Sequence, residues 1–272
     1  MDKIELIIGA ISGDIIGSIY EWNNVKTIDF TLFNKKSTYT DDSVLTIATM
    51  FAIMNGVSYE EAYQNFGRKY PNRGYGGNFQ SWIYLKHPKP YNSWGNGSAM
   101  RVSPIGWSGN SIEEVLLEAK KSAEVTHNHP EGIKGAQSIA VSIYLAKIGK
   151  TKGEIREYIT EIFKYNLDRK IEEIRPEYRF DVSCQGSVPE AIIAFLESTD
   201  YENAIRLAIS LGGDSDTIAC ITGGIAEAYY RGIPENISKN VLNILPKEFI
   251  KIIEKFSINY LKYENNERLL FV

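Results

Sequence analysis

The sequence predicts an all-α protein, and three observations carry that prediction. Apolar residues recur at helical spacing through most of the chain. Serine or threonine followed three residues later by glutamate punctuates it repeatedly, which is how helices begin. Convincing strands are scarce, and only residues 25–33 alternate weakly (Ile28, Phe30, Leu32), as an extended segment would.

Residues 3–19 place Ile4, Ile7, Ile8, Ile11, Ile15 and Ile19 on a helix, with Gly9, Gly13 and Gly17 four apart. Small residues along one face let another helix or loop come close. This helix ends in Tyr20-Glu21-Trp22-Asn23-Asn24. Residues 43–55 form a strongly apolar helix stopped by Gly56, and Ser58-Tyr59-Glu60-Glu61 opens the next as a capping box. Residues 71–110 read as a long loop region, with four prolines, many glycines and Trp82, Trp94 and Trp107, and such a loop inside a compact domain is usually functional. Further capping boxes are Ser111-Ile112-Glu113-Glu114, Thr151-Lys152-Gly153-Glu154 and Ser187-Val188-Pro189-Glu190. The expected helices after the loop span 111–124, 130–148, 151–165, 187–198, 200–211, 216–231, 234–244 and 246–261.

With 272 residues, 43% of them hydrophobic, the chain can bury a substantial core, and no proline- or serine-rich linker divides it. The net charge of −4 and the lack of a long Lys/Arg stripe argue against general nucleic-acid affinity. Cys184 and Cys220 sit in apolar surroundings and are expected as buried free thiols. The apolar N-terminus carries Asp2, Glu5 and Asp14 without a basic n-region, so neither a secretory signal nor a membrane span is expected. These features predict a soluble, cytoplasmic monomer.

The chemistry centres on Gly212-Gly213-Asp214-Ser215-Asp216-Thr217, which runs into an apolar helix. In an extended loop, side chains at i and i+2 point the same way, so Asp214 and Asp216 can converge. Read alone, the stretch is also satisfied by Asp216 as a helix N-cap and the glycines as the close of the preceding helix. Thr40-Asp41-Asp42-Ser43 repeats the chemistry at another helix start. Together the stretches supply four carboxylates and two threonine hydroxyls, hard oxygen ligands suited to Mg²⁺, Mn²⁺ or Ca²⁺ rather than zinc. Crowded without a cation, such carboxylates would repel.

Three further clusters accompany them. Arg73-Gly74-Tyr75-Gly76-Gly77-Asn78 would let backbone N–H groups approach an anion, although a plain loop has the same composition. Gly95-Asn96-Gly97-Ser98-Ala99-Met100-Arg101 would likewise admit a ligand against the backbone. Thr126-His127-Asn128-His129-Pro130 precedes a helix, but no cysteine or third histidine completes a zinc set around it.

Taken in order, Gly13-Asp14…Gly17…Tyr20-Glu21, Thr40-Asp41-Asp42, Gly95 to Arg101, Thr126-His127 and Gly212 to Thr217 resemble the motifs of the ADP-ribosylglycohydrolases. That family includes the dinitrogenase-reductase-activating glycohydrolase and the animal ADP-ribosyl-acceptor hydrolases. The resemblance covers about residues 3–235, and five ordered motifs make it specific. It implies a compact orthogonal multi-helix fold, one domain over 1–272, with long loops around a metal-containing cleft. It further implies two Mg²⁺ per chain, with Mn²⁺ as a substitute, held by Thr40, Asp41, Asp42, Asp214, Asp216 and Thr217. Gly74, Gly76, Gly77, Asn96, Gly97, Ser98, Met100 and His127 would hold ADP-ribose, and Glu21 matches a glutamate that guards the cleft in some members. The family's GGDTDT is GGDSDT here, and Ser215 keeps the hydroxyl.

The implied reaction is hydrolysis of the bond between the distal ribose of ADP-ribose and an acceptor, an ADP-ribosylated protein side chain or related conjugate. Glu21, Asp41 and Asp216 are the candidate catalytic carboxylates. The alternatives are a catalytically inactive ADP-ribose-binding protein of the same fold and a metal-dependent phosphohydrolase on an unrelated helical scaffold. The second leaves the Gly95 to Arg101 stretch unexplained. Trp22, Trp82, Trp94 and Trp107 are open to roles in the acceptor pocket, on adenine or in the core.

Overall fold

A computed structural model describes residues 5–261, so Ile4, the expected helix start at residue 3 and the outer ends of the 1–272 domain lie outside the described residues. The helices are α1 (Gly9–Gly17), α2 (Asp41–Asn55), α3 (Tyr59–Lys69), α4 (Gly77–Trp82), α5 (Gly97–Met100), α6 (Ser103–Ser108), α7 (Ile112–Glu124) and α8 (Pro130–Lys147). They continue as α9 (Lys152–Phe163), α10 (Ile171–Ile174), α11 (Cys184–Glu197), α12 (Tyr201–Ser210), α13 (Ser215–Tyr230), α14 (Glu235–Ile244) and α15 (Lys247–Tyr260). The fold is all-helical. Residues 25–33 form bends and no ladder, and among the described residues the one β-bridge is isolated, pairing Gly95 with Ser183.

At the centre lies α13, buried from Ser215 through Ala228. A helix apolar all round must be surrounded, and α1, α8, α11 and α12 pack against it. The glycine face of α1 makes the closest of these approaches. A Cβ on Gly13 would stand 2.0 Å from the carbonyl oxygen of Ala219, and one on Gly9 would stand 2.6 Å from that of Gly223. Only glycine permits this contact, and it fixes the axial position of α1 against α13. Glu227, buried on α13, accepts the backbone N–H of Ile8 at 2.8 Å and so caps the open start of α1.

Local chemistry explains most helix ends. Ser58 and Ser111 accept the N–H of Glu61 and Glu114, and Thr151 with Glu154 forms a complete capping box. Gly56 closes α2 in the left-handed conformation, at φ 66°. Three expectations are corrected. The first helix starts at Gly9, not before Ile7, because Glu227 provides its cap. Ser187 is not a cap. Ser183 caps α11, pinned by its bridge to Gly95, and Ser187 lies inside that helix, donating to the Ser183 carbonyl. The 71–110 region is not all loop, since α4, α5 and α6 lie within it; at four to six residues each, they are too short to show a period. Both cysteines are buried free thiols, as expected. No helix among the described residues is long and apolar enough to cross a membrane.

Candidate active site

A cleft of about 390 Å³ opens where the starts of α2 and α13 meet the loops around α4 and α5. Its floor is acidic. The α1–α13 contact brings Asp14 on α1 beside Asp216 on α13, and Asp42 at the start of α2 joins them. One carboxylate oxygen from each of Asp14, Asp42 and Asp216 lies within 4.8 Å of the others. Glu21, Asp214 and Asp216 form a second such group, so Asp216 belongs to both.

Asp14 ties the floor together. Its carboxylate accepts the backbone N–H of Thr40 at 3.0 Å and of Ser43 at 3.1 Å, the Thr40 hydroxyl at 2.7 Å and the Ser43 hydroxyl. It thereby caps α2 from another helix. The Thr40 hydroxyl also stands 3.0 Å from Asp42 Oδ2. The second acidic stretch is held differently from expectation. Asp214 occupies the N-cap position of α13 and Asp216 lies within its first turn, so the two converge at a helix start rather than along an extended loop. Gly212 and Gly213, both at φ 71°, turn the chain there. Asn96 Nδ2 donates to Asp214 Oδ2 at 2.7 Å, and Asn24 clamps the turn through Gly213 N–H and Gly213 O.

Burial pushes the carboxyls of Asp41, Asp42 and Asp216 well above the ordinary carboxylate range, and the neighbouring carboxylates push further. Glu21 is pushed up to about 7, first by burial and then by the charge of Asp214. Among the described residues no Lys or Arg forms an ion pair with any of these acids. Asp42 Oδ1 and Asp216 Oδ1 are buried without any hydrogen-bond partner. Orphaned buried oxygens in a set of hard oxygen donors fit a divalent cation, which would relieve both the desolvation and the repulsion.

The walls differ from the floor. Gly76 and Gly77 line the cleft with open space where side chains would be, and Gly74, at φ 100°, lies against Asp41. Asn96, Gly97, Met100, Arg101 and His127 line it as well. His127 is buried, and burial followed by the charge of Arg101 lowers its pKa well below the usual value. His129 instead caps α8, accepting the N–H of Glu131.

Thr40, Asp41 and Thr217 line the cleft, though Asp41 falls outside both close carboxylate groups. Ser98 does not join them. On the single turn of α5 it points away from the cleft and donates to the Gly132 carbonyl at 2.7 Å. Asp14 entered the sequence reading only through the Gly13-Asp14 motif and was given no site role, yet it binds both Thr40 and Ser43 at the floor. The available signal was one acid inside an apolar glycine-spaced helix, which must find partners when buried. Trp22, 76% exposed, stacks on Phe180 at 5.3 Å on the cleft rim, whereas Trp82 and Trp107 are core residues and Trp94 stands outside the lining.

Residues 4–265 match the ADP-ribosylglycohydrolase family as a whole. The chain belongs to the ADP-ribosylglycohydrolase family. It is 27% identical over 310 residues to mouse (Mus musculus) ADP-ribosylhydrolase ARH3, covering 84% of each chain, and 28% identical over 302 residues to the human (Homo sapiens) ARH3, covering 82% of this chain and 83% of that one. A shorter match, 28% over 142 residues, is to the ADP-ribosylarginine hydrolase Tri1 of Pseudomonas putida, covering 50% of this chain and 38% of the other. A solved structure titled as an ADP-ribosylglycohydrolase-related protein complex shares the fold, with a TM-score of 0.71 at 21% identity over 93% of this chain and 95% of that one. Membership of this glycohydrolase family supports hydrolysis of ADP-ribosyl groups in general.

Proposed function

We propose that this chain, as one domain, is a divalent-metal-dependent hydrolase that cleaves the bond between C1″ of the distal ribose of ADP-ribose and an acceptor. The observation that carries the reading is the acidic floor. Buried, unpaired carboxylate oxygens on Asp42 and Asp216 stand at the base of a cleft whose walls are glycine backbone and His127.

Asp14, Asp42, Asp214 and Asp216, with Thr40, Asp41 and Thr217 beside them, would hold the ions, two Mg²⁺ or Mn²⁺ per chain. When bound, such ions supply orientation of the ribose hydroxyls and a lowered pKa for an attacking water. The chain's own residues supply the rest. Gly74, Gly76 and Gly77, together with Asn96, Gly97 and Met100, leave room for the diphosphate and ribose against backbone. The acidic floor would favour the oxocarbenium-like charge that develops on the sugar as the bond lengthens. Glu21, half-buried and titrating near neutrality, can hold or release a proton at the leaving acceptor. Asp41 or Asp216 would accept a proton from the nucleophile.

The acceptor would lie on the side of the cleft that Glu21, Trp22 and Phe180 line. Glu21 at its position is similar to the family members that act on O-linked acceptors, which favours that linkage, and the name of the Pseudomonas relative makes an arginine linkage the comparison to include. The test is release of ADP-ribose from serine-linked and arginine-linked ADP-ribosyl peptides, each with Mg²⁺ and with EDTA. Metal-dependent release from the serine-linked peptide is expected. Tight ADP-ribose binding without release from either peptide would point to the inactive binding protein instead, and no binding would remove both readings.

A further inference from the structure

Arg101 is one of the largest fully buried side chains, and no acidic residue pairs with it among the described residues. Its guanidinium lies 4.2 Å from the Tyr63 ring centre, and Nη2 donates to the Ser122 carbonyl and to Thr126 Oγ1, each at 2.9 Å. The Thr126 hydroxyl in turn stands 2.7 Å from His127 Nδ1. A guanidinium has donors only, so Thr126 Oγ1 must accept from it. The Thr126 hydroxyl hydrogen, directed at His127 Nδ1, would place the ring's own hydrogen on Nε2.

We propose that Arg101, acting through Thr126, is a positioning residue that locks His127 in the Nε2–H tautomer, so that one oriented N–H donor faces the cleft. A neighbouring glycine is part of the device. A Cβ on Gly97 would lie 3.2 Å from His127 Nε2, so a side chain there would crowd the donor. Donor, hydroxyl and ring form a chain pointing positive toward the cleft, and each link polarises the next. The arrangement suits an anionic phosphate oxygen and would repel a cationic group. It rests on the proposed ADP-ribose reading for its ligand, although not for the tautomer itself.

The test is ¹⁵N NMR of ring-labelled histidine in the full chain, with ADP-ribose titrated into the same samples. The chain has three histidines, so His127 is assigned by its loss in His127→Gln. The wild type should show a protonated Nε2 and an unprotonated Nδ1. Thr126→Val keeps the shape but removes the hydroxyl; it should give a mixture of tautomers and weaken ADP-ribose about tenfold. Thr126→Ser should restore both. Arg101→Met should also mix the tautomers, but it disturbs the core, so Thr126→Val carries the test. A protonated Nδ1 in the wild type, or an unchanged ring in Thr126→Val, overturns the inference. Failure of the wild type to bind ADP-ribose would contradict the proposed function and leave the tautomer to be decided by the spectra.

Discussion

Gly17 packs directly on the backbone of Asp216. A Cβ at Gly17 would stand 2.5 Å from Asp216 Cα and 2.7 Å from the Ser215 carbonyl oxygen. Asp216 is the residue common to both carboxylate groups, so the glycine face of α1 positions the site as well as the core.

Gly17→Ala is therefore expected to cost roughly 1–3 kcal/mol by overpacking, and to displace Asp216. Thermal unfolding with and without Mg²⁺ separates the two effects. The variant should be less stable without the ion and should also gain less from it than the wild type. An unchanged gain would show that Gly17 serves packing alone.

Asp14→Ala removes the acceptor that Thr40 and Ser43 share at the start of α2. Each buried donor left unsatisfied costs about 1–3 kcal/mol, so a loss of at least about 2 kcal/mol is expected in denaturant unfolding. That loss should outweigh the relief from removing one charge of a repelling group, because α2 also loses its anchor to α1. Stability equal to or above that of the wild type would reverse this ranking.

Glu227 governs a separate pH dependence. Burial raises its carboxyl from the ordinary 4.5 to about 8, even though it accepts N–H bonds from the start of α1. A folded pKa above the unfolded one gives stability that is fully present below 4.5 and lost as pH rises through 8. Glu227→Gln keeps an acceptor and removes the titration, so its stability should fall less across that window. Denaturant midpoints measured across the window check this, and parallel curves for the two proteins would count against it. The floor acids contribute a slope of the same sign in both proteins, so the difference between the curves isolates Glu227.

The helices were legible wherever the sequence wrote a period and a cap together, as at Ser58, Ser111 and Thr151. Where tertiary contacts set the end, local reading failed. Ser187 had the right spacing to Glu190, but the bridge between Gly95 and Ser183 fixed the start of α11 one turn earlier. The turns α4, α5 and α6 carry no period and are held by what they pack on. In the site, paired acids at helix starts were readable because their composition is unusual. Asp14 was legible as part of a motif but not as part of the floor, since that role depends on α1 lying against α13 and α2 at once. Ser98 misled for the opposite reason, because a small polar residue in a glycine-rich turn looks the same whether it faces a ligand or the core.

If the carboxylates around Asp216 form a divalent-cation site, direct titration of Mn²⁺ into EDTA-treated, desalted protein will show it. Free Mn²⁺ is followed by its EPR signal in the wild type and in Asp216→Asn. Saturable uptake of two ions per wild-type chain is expected, with loss of at least one in the variant. Absence of saturable uptake in the wild type, or the same uptake in both proteins, would contradict it.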